Sequence, residues 1–360
     1  MRKVLFQIHL WTGLILGTVF VLLGLSGSVL VYDHEIMALG DKPVPRAQAA
    51  GAPLPFDRIL AAARAAVPDK RLSATIAPSH QAGSAAMVRL QSGGRGGPQV
   101  TTDVYVDPAS GRILEVRRSV PHPVLAFLHQ FHGSLSLGRD GRSIVGWLGF
   151  GMLMLGLSGI VLWWPKRTAW KYAFGVRKDA RGYWLHRDLH GAAGIWGWIV
   201  FVIVSFSGIV IAFPDTARMV TGSPSAAFDP RRGPVIEPLP GRPLGADAAV
   251  ALVLARYPGA QLGSVTMPAR RSEAIRVQLG SPDDGPVAVA FVDPWRRTIV
   301  ATRNPPDDRR ERFLAWQRPL HAGNGLGPLW RALVFLSGLL PAVFFTTGLV
   351  MWLKKRKARL

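Results

Sequence analysis

The sequence predicts a membrane α-helical bundle of four spans, arranged as a tandem parallel repeat, with two external α+β domains. Three observations predict this class. The 360 residues are 49% hydrophobic, the apolar residues are concentrated in four blocks without a charged side chain, and elements of the first half recur in the second. Each block is long enough to cross a hydrocarbon layer of about 30 Å. The blocks are 10–32, 144–164, 195–213 and 333–353.

These blocks set the predicted division of the chain. The first block follows Arg2 and Lys3, which imitates a signal peptide. Its apolar core is too long and no small-residue cleavage site follows closely, so we predict an uncleaved anchor. Pro341 is expected to kink the last span. The predicted segments are span 1 (1–33), external domain 1 (34–120), an interfacial helix with span 2 (121–165), a cytoplasmic loop (166–190), span 3 (191–214), external domain 2 (215–310), and a second interfacial helix with span 4 and a basic tail (311–360).

The distribution of basic residues predicts the orientation in the membrane. The short loop 165–190 carries seven Lys or Arg residues against two Asp, and the tail 354–360 carries five basic residues. Short loops rich in Lys and Arg stay in the cytoplasm. We therefore predict a multi-pass membrane protein with cytoplasmic termini. The long segments 33–143 and 214–332 are predicted to lie outside, which in a bacterium is the periplasm.

Charge and cysteine content exclude several functions. The net charge of +21 is concentrated at the predicted cytoplasmic ends, which favours contact with anionic lipid. No basic stripe with interleaved aromatic residues is present, so nucleic-acid binding is not expected. The chain has no Cys, which excludes disulfides, iron–sulfur clusters and thiolate or covalent haem attachment. Any haem must be non-covalent, and any metal must be held by His or carboxylate.

The repeat places histidines at matching positions. Ser26-Gly27 aligns with Ser207-Gly208 at an offset of 181, which carries His9 onto His190. The segments 159–163 and 348–352 align at an offset of 189, which carries His132 onto His321. Parallel repeats are related by an axis along the membrane normal, so each pair is expected to face across the bundle. Paired histidines at the ends of membrane helices are typical of b-type haem ligation.

The two pairs are expected to hold two haems on opposite sides of the membrane. His9 and His190 lie at the cytoplasmic ends of their spans, and Gly13 and Gly194 one turn further leave room for a flat macrocycle. His132 and His321 follow apolar stretches with helical spacing, predicted to be short interfacial helices. Their haem is expected to be shallow and near the periplasmic surface.

Four further residues are secondary candidates. His129 lies one turn from His132, but position 318 in the second half is Arg. It is expected to contact a haem propionate or water, and it is the first alternative ligand. His186 precedes His190 by one turn and is given a similar secondary role. Arg142 and Arg331 are matched and lie just outside the spans, where propionate pairing and anchoring to lipid headgroups are equally open.

Each external segment reads as a small α+β unit. The first contains a predicted helix and four strands around an Asp-Pro hairpin turn, and the second repeats this order. The Gly-rich stretch 91–99 is a predicted flexible loop. Neither segment shows a nucleophile-and-base arrangement or a phosphate loop. The predicted helices are 55–67 and 246–257, and the predicted strands are 73–76, 87–90, 104–106, 113–116, 264–267, 275–279, 287–292 and 298–301.

Several motifs together resemble a known family. They are the opening RKVLFQIHLWTG (2–13), Leu25-Ser26-Gly27, the hairpin YVDPxxG (105–111), LHxxHG (128–133), the segment 159–166 ending in WWPK, and LHxxxHGxxG (185–194). The chain resembles the PepSY-associated transmembrane family of bacterial inner-membrane proteins over almost its whole length. The resemblance implies PepSY-like external domains and a role in iron uptake. Characterised members of the family are di-haem reductases that release iron from ferric siderophores in the periplasm.

The expected function is therefore transmembrane electron transfer by two b-type haems to a ferric siderophore or other ferric chelate. No dinucleotide or flavin fingerprint is present, so the electron donor must be a quinol, a soluble reductant or a separate reductase. One alternative is a haem-free membrane sensor or protease-modulating PepSY protein. Another is a siderophore or metal transporter, which predicts ionisable groups at mid-membrane that the four blocks lack.

Overall fold

The computed structural model of the chain describes residues 1–40, 42–67, 72–78, 83–92, 101–119, 122–223, 233–281, 285–304 and 308–358. The helices in these residues are α1 (Arg2–Leu30), α2 (Asp33–Ala38), α3 (Phe56–Ala66), α4 (Pro123–Ser134), α5 (Gly138–Trp163), α6 (Tyr183–Ala212), α7 (Pro214–Thr221), α8 (Ala246–Arg256), α9 (Arg309–Ala322) and α10 (Gly327–Lys357). The strands are β1 (Leu72–Ile76), β2 (Ala86–Ser92), β3 (Thr101–Val106), β4 (Ile113–Ser119), β5 (Leu262–Met267), β6 (Ile275–Leu279), β7 (Ala288–Asp293) and β8 (Thr298–Arg303).

The described residues fall into two compact units. The helical unit consists of 1–39, 122–217 and 316–360, and the soluble unit consists of 40–121 and 218–315. In the helical unit, α1, α5, α6 and α10 are long and apolar enough to cross a membrane. Helix α1 packs on α5 and α10, and α6 packs on the same two helices. The four helices therefore form a closed ring, as expected for a four-span membrane protein.

Small residues allow close packing between α1 and α10. A Cβ atom on Gly24 would collide with the carbonyl oxygen of Gly338, and one on Gly338 would collide with the hydroxyl of Ser28. That hydroxyl donates to the carbonyl of Phe335 at 2.8 Å. Close backbone approach and interhelical hydrogen bonds stabilise membrane helix pairs where water is absent.

The spanning helices overlap the predicted spans but differ at their ends. Helix α6 begins at Tyr183, so residues 183–190, predicted as part of the cytoplasmic loop, are helical. Its N-cap residue is Gly182 at φ 56°, a conformation that glycine adopts without strain. Helix α10 continues through Pro341. The two predicted interfacial helices are present as α4 and α9.

The soluble unit is one eight-stranded antiparallel sheet in the order β4-β3-β2-β1-β5-β6-β7-β8. Helices α3 and α8 contribute apolar side chains to a core against one face of this sheet. The N-termini of these helices cap each other. Asp247 accepts from the backbone N–H of Phe56 at 2.8 Å, and Asp57 accepts from that of Ala246 at 2.7 Å. Carboxylates at helix N-termini satisfy free N–H groups and favour the helix dipole.

The two predicted external domains share one sheet. Strand β1 pairs with β5, with Thr75 opposite Thr266, so the two predicted α+β segments form one unit. An unpaired edge strand exposes a row of backbone groups, and pairing β1 with β5 removes one such edge from each segment. The predicted helices and strands agree with the structure to within a few residues. Of the predicted Gly-rich loop, residues 93–99 lie outside the described residues.

Two buried aspartates hold the predicted hairpin turns. Asp107 accepts hydrogen bonds from four backbone N–H groups, those of Gln48, Ala49, Ala109 and Ser110, at 2.6 to 3.1 Å. These bonds, led by that from Ala49, hold the pKa of Asp107 far below its usual range. Asp293 accepts from the N–H groups of Trp295 and Arg296 in the matching turn.

Candidate functional site: two histidine pairs in the helical unit

The helical unit brings both predicted histidine pairs together. We define the lower end of the bundle as the end where α1 and α6 begin. There, His9 of α1 and His190 of α6 form the lower pair, whose ring centres are 6.4 Å apart. Towards the other end, His132 of α4 and His321 of α9 form the upper pair, whose ring centres are 5.9 Å apart.

These separations suit one metal ion shared by two imidazoles. An imidazole nitrogen lies about 2 Å from a first-row metal ion and roughly 1.1 Å from its own ring centre, so imidazoles on opposite sides of one ion have ring centres about 6.2 Å apart. Within the described residues, no group of three or more His, Asp or Glu side chains is placed to hold a metal ion. A pair of this kind needs its remaining ligands from elsewhere, and a haem supplies four nitrogen ligands in one plane.

Hydrogen bonds at Nδ1 fix the orientation of the lower pair. His9 Nδ1 lies 2.8 Å from Ser158 Oγ, and His190 Nδ1 lies 2.8 Å from Thr347 Oγ1. Both hydroxyls donate their own hydrogen to a carbonyl of their helix, at 3.2 Å and 2.6 Å respectively. Each hydroxyl therefore accepts from the imidazole, so Nδ1 carries the proton and Nε2 keeps its lone pair.

The upper pair reaches the same protonation state through backbone carbonyls. His132 Nδ1 donates to the carbonyl of Leu23 at 3.0 Å, and His321 Nδ1 donates to that of Val204 at 2.9 Å. A carbonyl can only accept, so the tautomer is fixed. Burial lowers the pKa of His132 and lowers that of His321 to about 4. Neutral imidazoles whose other N–H is hydrogen-bonded are the form that binds metals.

Glycines lie against the histidines of both pairs. A Cβ atom on Gly27 would lie 2.7 Å from His132 Cε1, and one on Gly208 would lie 2.9 Å from His321 Cε1. At the lower pair, a Cβ atom on Gly159 would lie 3.6 Å from His9 Cε1. The upper imidazoles thus occupy space that only glycine leaves open.

A large cavity adjoins the lower pair. It has a volume of about 1160 Å³, and both His9 and His190 line it. Ligand pockets commonly measure about 300–1,000 Å³, so this cavity is large enough for a macrocycle. A Cβ atom on Gly13 would meet no atom within 4 Å, in agreement with the predicted open space. The glycines that line the cavity are Gly13, Gly17, Gly156, Gly159, Gly175, Gly191, Gly194 and Gly348.

The upper pair lies within the helical bundle. Its imidazoles contact the carbonyls of Leu23 and Val204, each of which lies inside a spanning helix. Leu23 precedes the end of α1 at Leu30 by seven residues, or about 10 Å of helix. Helices α4 and α9 direct these histidines into the bundle. Leu23 follows His9 by fourteen residues, so the two pairs are about 21 Å apart along the helix axis.

The secondary histidines have local partners. His129 Nδ1 donates to the carbonyl of Leu125 at 3.0 Å, and its Nε2 lies 3.3 Å from Asp33 Oδ2. Both of its nitrogens are thus engaged away from the upper pair. His186 Nδ1 donates to the carbonyl of Gly182 at 2.7 Å, at the start of α6.

The two arginines bind the ends of spanning helices. Arg142 Nη2 donates to the carbonyl of Ile211 at 2.5 Å, in the last turn of α6. Arg331 donates through Nη2 to the carbonyl of Val31 at 2.7 Å, at the end of α1, and pairs with Glu35. Cations at helix C-termini satisfy free carbonyls and the helix dipole. The structure therefore gives both residues a capping role at helix ends, in addition to the roles expected from the sequence.

Ser158 and Thr347 were missed by sequence reasoning. They precede Gly159 and Gly348, which anchored the offset of 189, so the alignment already placed the two hydroxyls at matching positions. The available signal in the sequence was a hydroxyl residue at the same position in each half of the repeat. Without the packing of α1 on α5 and of α6 on α10, it could not be separated from ordinary Ser and Thr residues that bond to their own helix.

The fold is that of a membrane protein with four candidate spans, and its helical unit holds two histidine pairs. Comparison with known families is consistent with this class: the family model of the PepSY-associated transmembrane region matches residues 6–355. The chain belongs to this family. It is also similar to an uncharacterised protein of Pseudomonas aeruginosa, with 26% identity over 260 residues that cover 65% of this chain and 64% of that protein. The match thus spans less than two thirds of the relative.

Proposed function

We propose that the protein is a di-haem b electron-transfer protein of the bacterial inner membrane that reduces a ferric siderophore or other ferric chelate in the periplasm during iron uptake. His9 and His190 would hold one haem, and His132 and His321 the other. One observation carries this proposal: both pairs meet at a separation that suits a shared iron, with Nδ1 engaged in a hydrogen bond and Nε2 left as the acceptor nitrogen.

The ligand set supports electron transfer in preference to chemistry at the iron. A haem held by two imidazoles supplies one-electron redox chemistry and keeps no open coordination site. The hydrogen bonds at Nδ1 hold the imidazoles in one orientation, which limits rearrangement when the charge at the site changes. The stacked arrangement of the two pairs along α1 and α6 gives a route from one face of the bilayer towards the other.

The charge pattern supports the direction of this route. Basic residues at the lower end favour the cytoplasm, so the lower pair would receive electrons from a quinol, a soluble reductant or a reductase. The upper pair would then pass them to the periplasmic side. Reduction weakens the binding of iron by the hard oxygen ligands of a chelator, so that Fe(II) is released.

Spectroscopy combined with a reconstituted assay tests this function. We expect purified protein to show a dithionite-reducible b-type spectrum with two haems per chain in a pyridine-haemochrome assay. In proteoliposomes that contain a trapped reductant, His132→Ala or His321→Ala should abolish reduction of an external ferric chelate, yet leave the lower haem reducible. Well-folded protein without haem, expressed with haem available, would contradict the proposal and favour the haem-free sensor. A variant without the upper haem that reduces external chelate at the normal rate would place the exit site elsewhere.

A further inference from the structure

A row of polar side chains crosses the centre of the eight-stranded sheet. Arg89 of β2 lies opposite Thr75 of β1, Thr75 lies opposite Thr266 of β5, and Thr266 lies opposite Arg276 of β6. Directly opposed residues of antiparallel strands point to the same face. Ile275 and Val277, the neighbours of Arg276, belong to the core with α3 and α8. The row therefore lies on the face of the sheet that points away from these helices.

The two arginines at the ends of this row differ in their partners. Arg89 forms a bidentate ion pair with Asp103, the residue opposite it on β3, with Nε–Oδ1 and Nη2–Oδ2 distances of 2.7 and 3.0 Å. The residue opposite Arg276 on β7 is Phe291, which is fully buried. The charge of Arg89 is therefore balanced by Asp103. Arg276 has Phe291 at the position where Arg89 has this carboxylate.

Arg276 has no acceptor within the described residues. Its Nε is buried and makes no hydrogen bond there. Burial lowers the pKa of Arg276, and no anion opposes that shift. A partly buried cation without a partner destabilises the free protein. A bound anion would remove this cost, and the planar guanidinium group favours a carboxylate, which it can bind through two hydrogen bonds.

The neighbouring hydroxyls add a donor. Thr75 Oγ1 and Thr266 Oγ1 are 2.9 Å apart. Only one of the two hydrogens is needed for this bond, so the other can be donated to a ligand. Arg276 lies opposite Thr266 on the adjacent strand, and adjacent strands are about 4.8 Å apart, so one carboxylate can accept hydrogen bonds from both side chains.

We propose that Arg276, together with the Thr75–Thr266 hydroxyl pair, binds the carboxylate of a small anionic ligand, namely a ferric chelate whose iron is held by carboxylate oxygens. The ligand carboxylate compensates the charge of Arg276 as Asp103 compensates that of Arg89. The identity of the ligand rests on the proposed function, whereas the carboxylate site rests on the sheet itself.

The test uses the full-length protein in detergent and gallium citrate, a redox-inert analogue of ferric citrate. Isothermal titration should show saturable binding to the wild type. Arg276→Gln should weaken this binding by roughly tenfold or more, because a charge-assisted hydrogen bond pair is lost. Arg58→Gln is the matched control, since it removes the same charge from an exposed position on α3, and it should leave the affinity unchanged. Thermal unfolding of each variant checks that the chain is folded.

Three results would overturn the proposal: no saturable binding by the wild type, unchanged affinity in Arg276→Gln, or an equal loss in Arg58→Gln. Haem content is measured on the same samples. Binding that depends on Arg276 in protein without haem would support the carboxylate site while refuting the proposed electron transfer. Normal haem content together with binding that does not depend on Arg276 would refute the carboxylate site and leave the proposed electron transfer in place.

Discussion

Replacing Thr347 by valine removes the hydroxyl that accepts the hydrogen bond of His190 Nδ1 at 2.8 Å and preserves the size of the side chain. Thr347 is 5% exposed, so water cannot substitute for the lost acceptor. A buried donor left without a partner costs about 1–3 kcal/mol. Loss of such a partner commonly weakens metal affinity by about 10–100-fold. We expect a loss of this size for haem at the lower pair.

The assay is haem transfer from the purified protein to excess apomyoglobin, followed by absorption spectroscopy and by redox titration of the haem that remains. Thr346→Val is the matched control, because Thr346 is the preceding residue in α10, is exposed, and among the described residues donates to carbonyls of its own helix. Thr347→Val should lose the lower haem faster than the control and leave the upper haem in place. Ser207 Oγ lies 3.3 Å from His321 Nδ1. Ser207→Ala should have a smaller effect on the upper haem, because the carbonyl of Val204 still accepts from His321 Nδ1 at 2.9 Å.

Two outcomes would refute this reasoning. If Thr347→Val retains both haems as firmly as Thr346→Val, the hydroxyl does not support the ligand. If Thr347→Val releases the upper haem instead, the assignment of His190 to the lower pair is wrong. A change in the midpoint potential of one haem without any loss of haem would still support contact between Thr347 and His190.

Two further predictions concern the lower pair and the soluble unit. His9→Ala and His190→Ala should each remove the same haem, because one iron needs both imidazoles, and the visible spectra of the two variants should be identical; loss of different haems would show that the pairing is wrong. Asp107→Asn should destabilise the soluble unit by about 2–3 kcal/mol at neutral pH, because a buried carboxylate that accepts several N–H bonds is lost. The pKa of Asp107 is lowered by folding, so its contribution is present above its unfolded pKa of about 4 and declines as the pH falls below that value. Denaturant unfolding of variant and wild type between pH 7 and pH 3 should therefore show a difference that narrows on acidification, and a constant difference would contradict the assignment.

The pairing of the histidines was predictable because it follows from aligning the two halves of the sequence. Two alignments anchored on Ser-Gly and Gly–Trp segments placed His9 with His190 and His132 with His321, and the helical unit brings both pairs together. The spans were predictable because twenty apolar residues have few alternatives to a membrane helix. The strands of the soluble unit were predictable because alternating apolar residues and an Asp-Pro turn specify a hairpin locally.

The remainder depends on contacts between distant segments. The residues of β1 and β5 do not specify which strand each one pairs with. The joining of the two α+β segments into one sheet could therefore not be predicted from the sequence. The depth of the upper pair depends on the direction in which α4 and α9 enter the bundle, which their composition does not determine. The role of Arg331 at the end of α1 likewise requires knowledge of which helices are neighbours.

The pairing of β1 with β5 has a consequence for how the chain is made. Thr75 and Thr266 meet in the sheet but are separated by 191 positions, a stretch that includes two spanning helices. At a synthesis rate of about 5–20 residues per second, β1 waits roughly 10 to 40 s before its partner exists. During that time its edge is open to other strands, and α3 lacks the carboxylate of Asp247 that caps it. A chain that ends between α5 and α6 would therefore leave the edge of β1 unpaired, because β5 would be missing.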